Sequence, residues 1–371
     1  MKVVVLGTRG FPKVQGGVET HCENLYPLLT DRGCEVVVFA RKPYVQMTMN
    51  NYKGVKLIPL SCPKSKYLEA FLHTFYGVLV AKMVNPDILH IHAIGPSLFV
   101  PLARILGLKV VMTNHGPDYQ RKKWKKPAKI VLRLGEKLGS RWANAIICIS
   151  MQIAEDIKRK YGRDSAIIPN GVILPQISKS DDVLRKFDLV GGKYVLSVGR
   201  LVPEKGFHDL IEAFKELKSE EWRLVIVGGA DHKDDYSLGL REKARKYDDV
   251  ILTGFLTGKP LQELYTHAGL FVLPSYYEGL PIALLEAMSY GLSCIASDIP
   301  ANREVGLPEE SFFNVGDIRT LIERIEQFIR RPLSKEERNK QIIQVGERYD
   351  WEKVAEQTFE VYRKVCERKN R

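Results

Sequence analysis

The fold is decided by Leu270-Phe271-Val272-Leu273-Pro274-Ser275-Tyr276-Tyr277-Glu278-Gly279-Leu280-Pro281-Ile282-Ala283-Leu284-Leu285-Glu286. Four apolar residues form a strand buried on both faces, and a Gly/Pro-marked loop leads into a helix over Ile282–Tyr290. Pro281 suits the first helical position. A buried strand feeding a helix is the unit of a parallel, doubly wound sheet, whose ligands sit at the C-terminal ends of its strands. There Gly279 and Leu280 offer backbone N–H groups, Glu278 stands in the loop, and Glu286 lies over one turn inside the helix. Each carboxylate can accept hydrogen bonds from a pair of neighbouring hydroxyls. Glu286 sits among Leu284, Leu285, Ala287 and Met288, where a carboxylate is costly without a polar partner, which points to a polar ligand.

The same alternation extends outward in both directions. Strands are expected at Lys193–Val198, Arg223–Val227, Val250–Thr253 and Ser293–Ala296, alongside Leu270–Leu273. Upstream they are expected at Lys2–Leu6, Glu35–Ala40, Val55–Pro59, Ile88–His92, Lys109–Thr113, Ala145–Ser150 and Ala166–Ile168, with helices such as Glu19–Leu29 and Tyr67–Met83 between them. Pro169-Asn170-Gly171 is a turn signal, followed by a polar stretch to Asp182. The reading is two α/β domains, residues 1–171 and 172–350. A final amphipathic helix within 351–371 could return to the first of them.

Three further loops carry anion chemistry. Gly7-Thr8-Arg9-Gly10-Phe11-Pro12 follows the first strand, and Gly16-Gly17 opens the next helix, where a phosphate can approach free N–H groups. This is not the G-x-G-x-x-G dinucleotide fingerprint, so an NAD-dependent oxidoreductase is disfavoured. Thr113-Asn114-His115-Gly116-Pro117-Asp118 puts His115 at a strand's C-terminal edge, able to donate to a hydroxyl. His73, His90, His92 and His208 read as core, rim or helix-surface residues. Val198-Gly199-Arg200-Leu201-Val202-Pro203-Glu204-Lys205-Gly206 sets Arg200, a fork, and Lys205, a point charge, in one loop suited to a pyrophosphate. Asp231-His232-Lys233-Asp234-Asp235 reads as a solvated loop, and no catalytic metal is expected.

The net charge of +12 belongs to one half: residues 1–175 carry +15 and residues 176–371 carry −3. It is focused in Arg121, Lys122, Lys123, Trp124, Lys125 and Lys126. Without a base-stacking series or DNA-binding motif, an anionic membrane surface or phosphorylated acceptor is expected in place of nucleic acid. From Pro127 a helix is expected to pack on its own domain through Val131, Leu134 and Leu138, with Lys129, Arg133 and Lys137 on another face. The six cysteines are dispersed and read as reduced. No apolar run reaches the ~20 residues of a membrane helix, and the first strand is too short for a signal-peptide core. A cytoplasmic protein, peripheral on the inner membrane face, is the expectation.

Together these residues resemble the retaining glycosyltransferases of family 4, with the GT-B fold of two Rossmann-like domains facing a cleft. The signature is E-x7-E, Glu278 to Glu286, beside Gly16-Gly17-Val18-Glu19, His115-Gly116, Pro169-Asn170-Gly171-Val172 and Val198-Gly199-Arg200 with Lys205-Gly206. The opening loop resembles a subgroup that includes bacterial rhamnosyltransferases of surface-polysaccharide assembly. The resemblance implies a nucleotide-sugar donor, an acceptor that is a saccharide or a lipid-pyrophosphate-linked saccharide, and no cofactor. It implies Arg200 and Lys205 on the donor pyrophosphate, Glu286 on the ribose, Glu278 on the sugar, Gly16 and Gly17 near the phosphates, and His115 near the reacting carbon. Competing readings are a sugar-nucleotide epimerase, a phosphorylase, or a catalytically silent sugar-nucleotide-binding protein.

Overall fold

Runs of Val, Ile and Leu with no polar alternation are strands covered on both faces, and they build two parallel sheets here. The computed structural model describes all residues except 47–48, 64, 66–67, 122–123, 176, 218–220, 231–233 and 368–371. The chain divides into two compact units, Met1–Gly171 with Trp351–Arg371, and Val172–Asp350.

The first unit holds β1 (Lys2–Leu6), β2 (Glu35–Arg41), β3 (Asn51–Tyr52), β4 (Val55–Leu60), β5 (Ile88–His92), β6 (Val110–Asn114), β7 (Ala145–Cys148) and β8 (Ala166–Ile167). Their spatial order is β3-β4-β2-β1-β5-β6-β7-β8, all pairs parallel except β3 with β4. The order therefore reverses between β1 and β5, where Leu6 lies opposite Ile91. The helix Trp351–Glu367 belongs to this unit: Trp351, Val354, Tyr362 and Val365 join Val3, Val5, Leu25 and Val36 in one core.

The second unit holds β9 (Tyr194–Val198), β10 (Arg223–Val227), β11 (Val250–Gly254), β12 (Leu270–Leu273), β13 (Cys294–Ser297) and β14 (Phe312–Phe313). They run parallel in the order β11-β10-β9-β12-β13-β14, reversing between β9 and β12. Its core gathers Phe207, Phe214, Leu224, Ile226, Val272 and Phe328. Two-residue β3 and β14 were not expected from sequence, because two residues cannot display a period. Pro281 stands just before the helix Ile282–Ser289 and not at its first position.

Two helices of the first unit turn large apolar side chains outward. Leu68–Val84 buries Glu69, His73, Thr74, Gly77, Val78 and Ala81 but exposes Leu68, Phe71, Leu72, Phe75, Tyr76, Leu79 and Met83, the last 85% accessible. Gly77 permits this close approach, since a Cβ there would stand 2.5 Å from Leu6 Cδ2. The helix Lys126–Trp142 likewise buries Leu132, Gly135, Glu136, Gly139 and Ser140, with Gly135 against the Ile94 carbonyl. The expected packing face is corrected here: Val131 and Leu134 are exposed beside Ile130, because the two glycines bring the other side of the helix onto the domain.

Candidate functional site

In a doubly wound sheet the strand C-termini splay apart where the order reverses, leaving a crevice. In the second unit that place lies between β9 and β12, and the loops following them are Val198–Gly206 and Pro274–Leu280. Gly206 has φ +66°, and a Cβ on it would meet the Pro274 carbonyl oxygen at 2.0 Å, so glycine lets the two loops touch. Gly199 leaves room in which the Lys205 stem lies, 3.3 Å from where a Cβ would be.

Lys205 and Glu278 meet there. Lys205 Nζ donates to Glu278 Oε1 at 2.5 Å, and Ser275 Oγ donates to the same oxygen at 2.6 Å. Both side chains are mostly buried. The sequence reading assigns the cation and the carboxylate separate targets; in the structure they partner each other. Arg200 leaves β9 in the same loop, and the Tyr276 hydroxyl donates to Asp209 at 2.7 Å. Gly279 is partly accessible, whereas the Leu280 side chain is buried.

Glu286 is partly buried and has a protein partner beside the polar ligand that the sequence points to. Tyr265 Oη donates to Glu286 Oε2 at 2.9 Å. Burial pushes the Glu286 carboxyl up to about 7, against the lowering effect of the Tyr265 hydrogen bond. Tyr265 was missed by sequence reading, lying 21 residues upstream on another helix.

In the first unit the reversal lies between β1 and β5. Gly7 has φ +98°, and a Cβ there would press on the His92 carbonyl oxygen at 2.1 Å. Gly16 precedes the helix Gly17–Asp31, and Gly17 is exposed with open space where a Cβ would go. Arg9 and Glu19 form a buried ion pair under this turn, Nε to Oε1 at 3.2 Å, and the Arg9 guanidinium also reaches the Gln15 carbonyl. Burial would raise the Glu19 carboxyl, but the charge and hydrogen bonds of Arg9 hold it below the usual range. Sequence reading missed this pair.

His115, just past β6, accompanies His92 and His21. His92 Nδ1 lies 2.9 Å from His115 Nε2, and His21 Nδ1 lies 2.9 Å from Asn170 Oδ1. His90, whose Nε2 meets Thr113 Oγ1 at 2.7 Å, and Tyr26 continue the network inward. Burial pushes all four imidazoles down, His21 to about 4 and His90 to about 3, so they are neutral at pH 7. His90 and His92 are fully buried, and their i, i+2 spacing on one strand puts both on one face, a signal available in the sequence.

In the basic segment, Arg121 pairs with Asp118 at 2.9 Å, Trp124 is partly buried, and Lys125 and Lys126 are exposed. Lys122 and Lys123 lie outside the described residues, as do Asp231, His232 and Lys233 of the acidic loop and Tyr67 of the expected helix Tyr67–Met83. Beside this segment, Glu136 accepts from Tyr119 at 3.1 Å and Tyr161 at 2.9 Å in the wall of a cavity of about 340 Å³.

The two units match two family descriptions. Residues 15–174 match Glycosyltransferase Family 4, and residues 182–349 match Glycosyl transferases group 1. The chain belongs to the family-4 glycosyltransferases of GT-B fold. An uncharacterized glycosyltransferase of Methanocaldococcus jannaschii is 26% identical, covering 99% of each chain. An Escherichia coli UDP-Gal:α-D-GlcNAc-diphosphoundecaprenol α-1,3-galactosyltransferase is 29% identical over 66% of each. Among solved structures, Anabaena HepE in complex with UDP-glucose superimposes with a TM-score of 0.80 at 19% identity, covering 98% of this chain and 100% of that one.

Proposed function

We propose that this glycosyltransferase moves a hexosyl or deoxyhexosyl group from a nucleoside-diphosphate sugar to a lipid-linked saccharide, with retention of anomeric configuration and without a metal. The observation that carries the reading is the Lys205–Glu278 pair at the β9/β12 reversal, within reach of Arg200's loop and the head of the helix bearing Glu286. A donor entering there exchanges one partner for two. Its diphosphate takes the Lys205 ammonium, with Arg200 as a fork, and its hydroxyls take the freed Glu278 carboxylate. As the bond from the sugar carbon to the diphosphate oxygen breaks, charge grows on that leaving oxygen. The fixed cations and the helix N-terminus stabilise that charge where other transferases use a metal. The acceptor hydroxyl oxygen forms the new bond to the sugar carbon and gives its proton to the leaving diphosphate oxygen. The E. coli relative acts, by its name, on UDP-Gal and a diphosphoundecaprenol-linked sugar, which supports this donor and acceptor class.

The acceptor's lipid gives the outward-facing apolar helices a use. No helix among the described residues is long and apolar enough to cross a membrane. Yet Phe71, Leu72, Phe75, Leu79 and Met83 on one helix, and Ile130, Val131 and Leu134 on the other, are exposed. Phe71 and Phe75 pack on Phe99, at 4.8 and 5.7 Å between ring centroids. Lys126, Lys129, Arg133 and Lys137 line the second helix. Exposed apolar surface rimmed by cations matches an anionic leaflet, where apolar contact and charge attraction add. The reading therefore places the protein peripherally on the cytoplasmic face.

The deciding experiment is a panel of nucleoside diphosphates and sugar nucleotides scored by thermal shift, then by product analysis with lipid-linked acceptors. One sugar nucleotide should raise the Tm in proportion to the logarithm of its concentration. Epimerised donor without acceptor, or no shift with any of them, would refute the transfer.

A further inference from the structure

We infer that His21, His92 and His115 form a binding site for a borderline divalent transition metal, of the zinc or cobalt kind, at the edge of the first sheet. One ring nitrogen of each lies within 4.8 Å of the other two. The three arrive from different elements: His21 from the first helix, one turn past Gly17, His92 from the end of β5, and His115 from the loop after β6. A tetrahedral ion with metal–nitrogen bonds of about 2.0–2.1 Å holds its ligands about 3.3 Å apart, so small side-chain rotations close the set.

The second layer is already in place. Asn170 Oδ1 can only accept, so the proton of His21 sits on Nδ1 and its Nε2 presents a bare lone pair. That Nε2 is buried and has no hydrogen-bond partner, which is an expense in a residue 2% exposed. A metal ion satisfies it. His92 is held through Nε2 by the Tyr26 hydroxyl, leaving Nδ1 facing His115 Nε2. This ligand-oriented-by-acceptor arrangement is what metal sites use to fix imidazole tautomers. Three imidazoles and no carboxylate favour zinc, cobalt, nickel or copper over magnesium or calcium. His115 is the part-exposed member and leaves a fourth position reachable from solvent. The ion takes no part in the transfer step. It would occupy His115, so bound zinc should slow transfer and a chelator should not. The binding assay contains no sugar and stands apart from the donor reading.

The test uses the full chain, stripped with EDTA and titrated with Co²⁺, reading the visible d–d absorption of a four-coordinate site. Wild type should saturate at one Co²⁺ per chain and be displaced by Zn²⁺. His21→Ala should lose at least tenfold in affinity, and Asn170→Ala should lose 10- to 100-fold although it touches no metal. His115→Ala, on a part-exposed loop, serves as the second ligand variant if His21→Ala fails to fold. Absence of a saturable band in wild type overturns the site, as does unchanged affinity in a folded ligand variant.

Discussion

Lys205 Nζ and Glu278 Oε1 stand 2.5 Å apart across 73 residues of chain, each the other's partner until something displaces it. On the proposed reading, a donor that takes Lys205 opens an existing ion pair, and that cost falls on the ground state.

Removing one member exposes the other. Lys205→Ala should leave Glu278 with Ser275 alone and lower stability by about 1–3 kcal/mol, because the pair is mostly but not fully buried. Lys205→Met with Glu278→Gln should recover most of that stability but not transfer. A double-mutant cycle by urea denaturation, run beside donor KM and kcat, separates the two effects.

Glu286 makes stability depend on pH in an uncommon direction. Its folded carboxyl titrates near 7, against 4.5 for the free group, so between those values the folded state holds the extra proton. Its contribution is complete below about pH 4.5 and is lost as pH rises through 7. Glu286→Gln should therefore raise the unfolding free energy at pH 8 by about 2 kcal/mol, read as a higher Tm, and change little at pH 4.5. Donor KM in wild type should worsen as pH falls through 7, since a protonated carboxyl is a poorer acceptor for two hydroxyls.

The two glycines at the first helix discriminate architecture from ligand contact. Gly17→Ala meets open space and should leave the Tm unchanged or slightly raised, since alanine is the better helix former. If a phosphate approaches this backbone, the same methyl should raise donor KM several-fold. Gly206→Ala should instead destabilise by about 2 kcal/mol or more through its collision with the Pro274 carbonyl. Equal donor KM in Gly17→Ala and wild type would remove the glycine turn from the binding surface.

Transfer should survive EDTA at full rate, and added Mg²⁺ or Mn²⁺ should not raise it. Loss on chelation with recovery on Mn²⁺ would give the leaving diphosphate a metal in place of Arg200 and Lys205.

The membrane reading is tested on the apolar face and the cations separately. Phe75→Glu with Leu79→Glu should abolish sedimentation with vesicles containing anionic lipid at any salt concentration. Lys125→Ser with Lys126→Ser, Lys129→Ser and Lys137→Ser should weaken it chiefly at low salt, because only the charge term is screened. Wild type remaining in the supernatant at low salt would exclude the surface.

Much of this was legible because parallel strands need apolar residues on both faces, and Val3–Leu6 or Leu270–Leu273 can hardly be anything else. The loops after β9 and β12 were legible as well, since Gly and Pro just past an apolar run mark a turn, and Arg200, Lys205 and Glu278 fall within them. The pairing of Lys205 with Glu278 was not, because sequence carries no distance between two loops. His92 reads as a core or rim residue and His21 carries no signal at all for the same reason, each ordinary alone and unusual only beside His115. In the helix Lys126–Trp142 the apolar spacing pointed to the wrong face. Spacing ranks residues by hydrophobicity, whereas Gly135 and Gly139 dock by the closeness they permit.

The helix Trp351–Glu367 completes the core of the first unit from the far end of the chain, with Tyr362 against His90. During synthesis, all of Val172–Asp350 emerges before that helix does. The second sheet can thus close while the first still lacks a wall, so the half that is translated first matures last. A chain truncated after Asp350 should keep a protease-resistant second unit and a protease-sensitive first one.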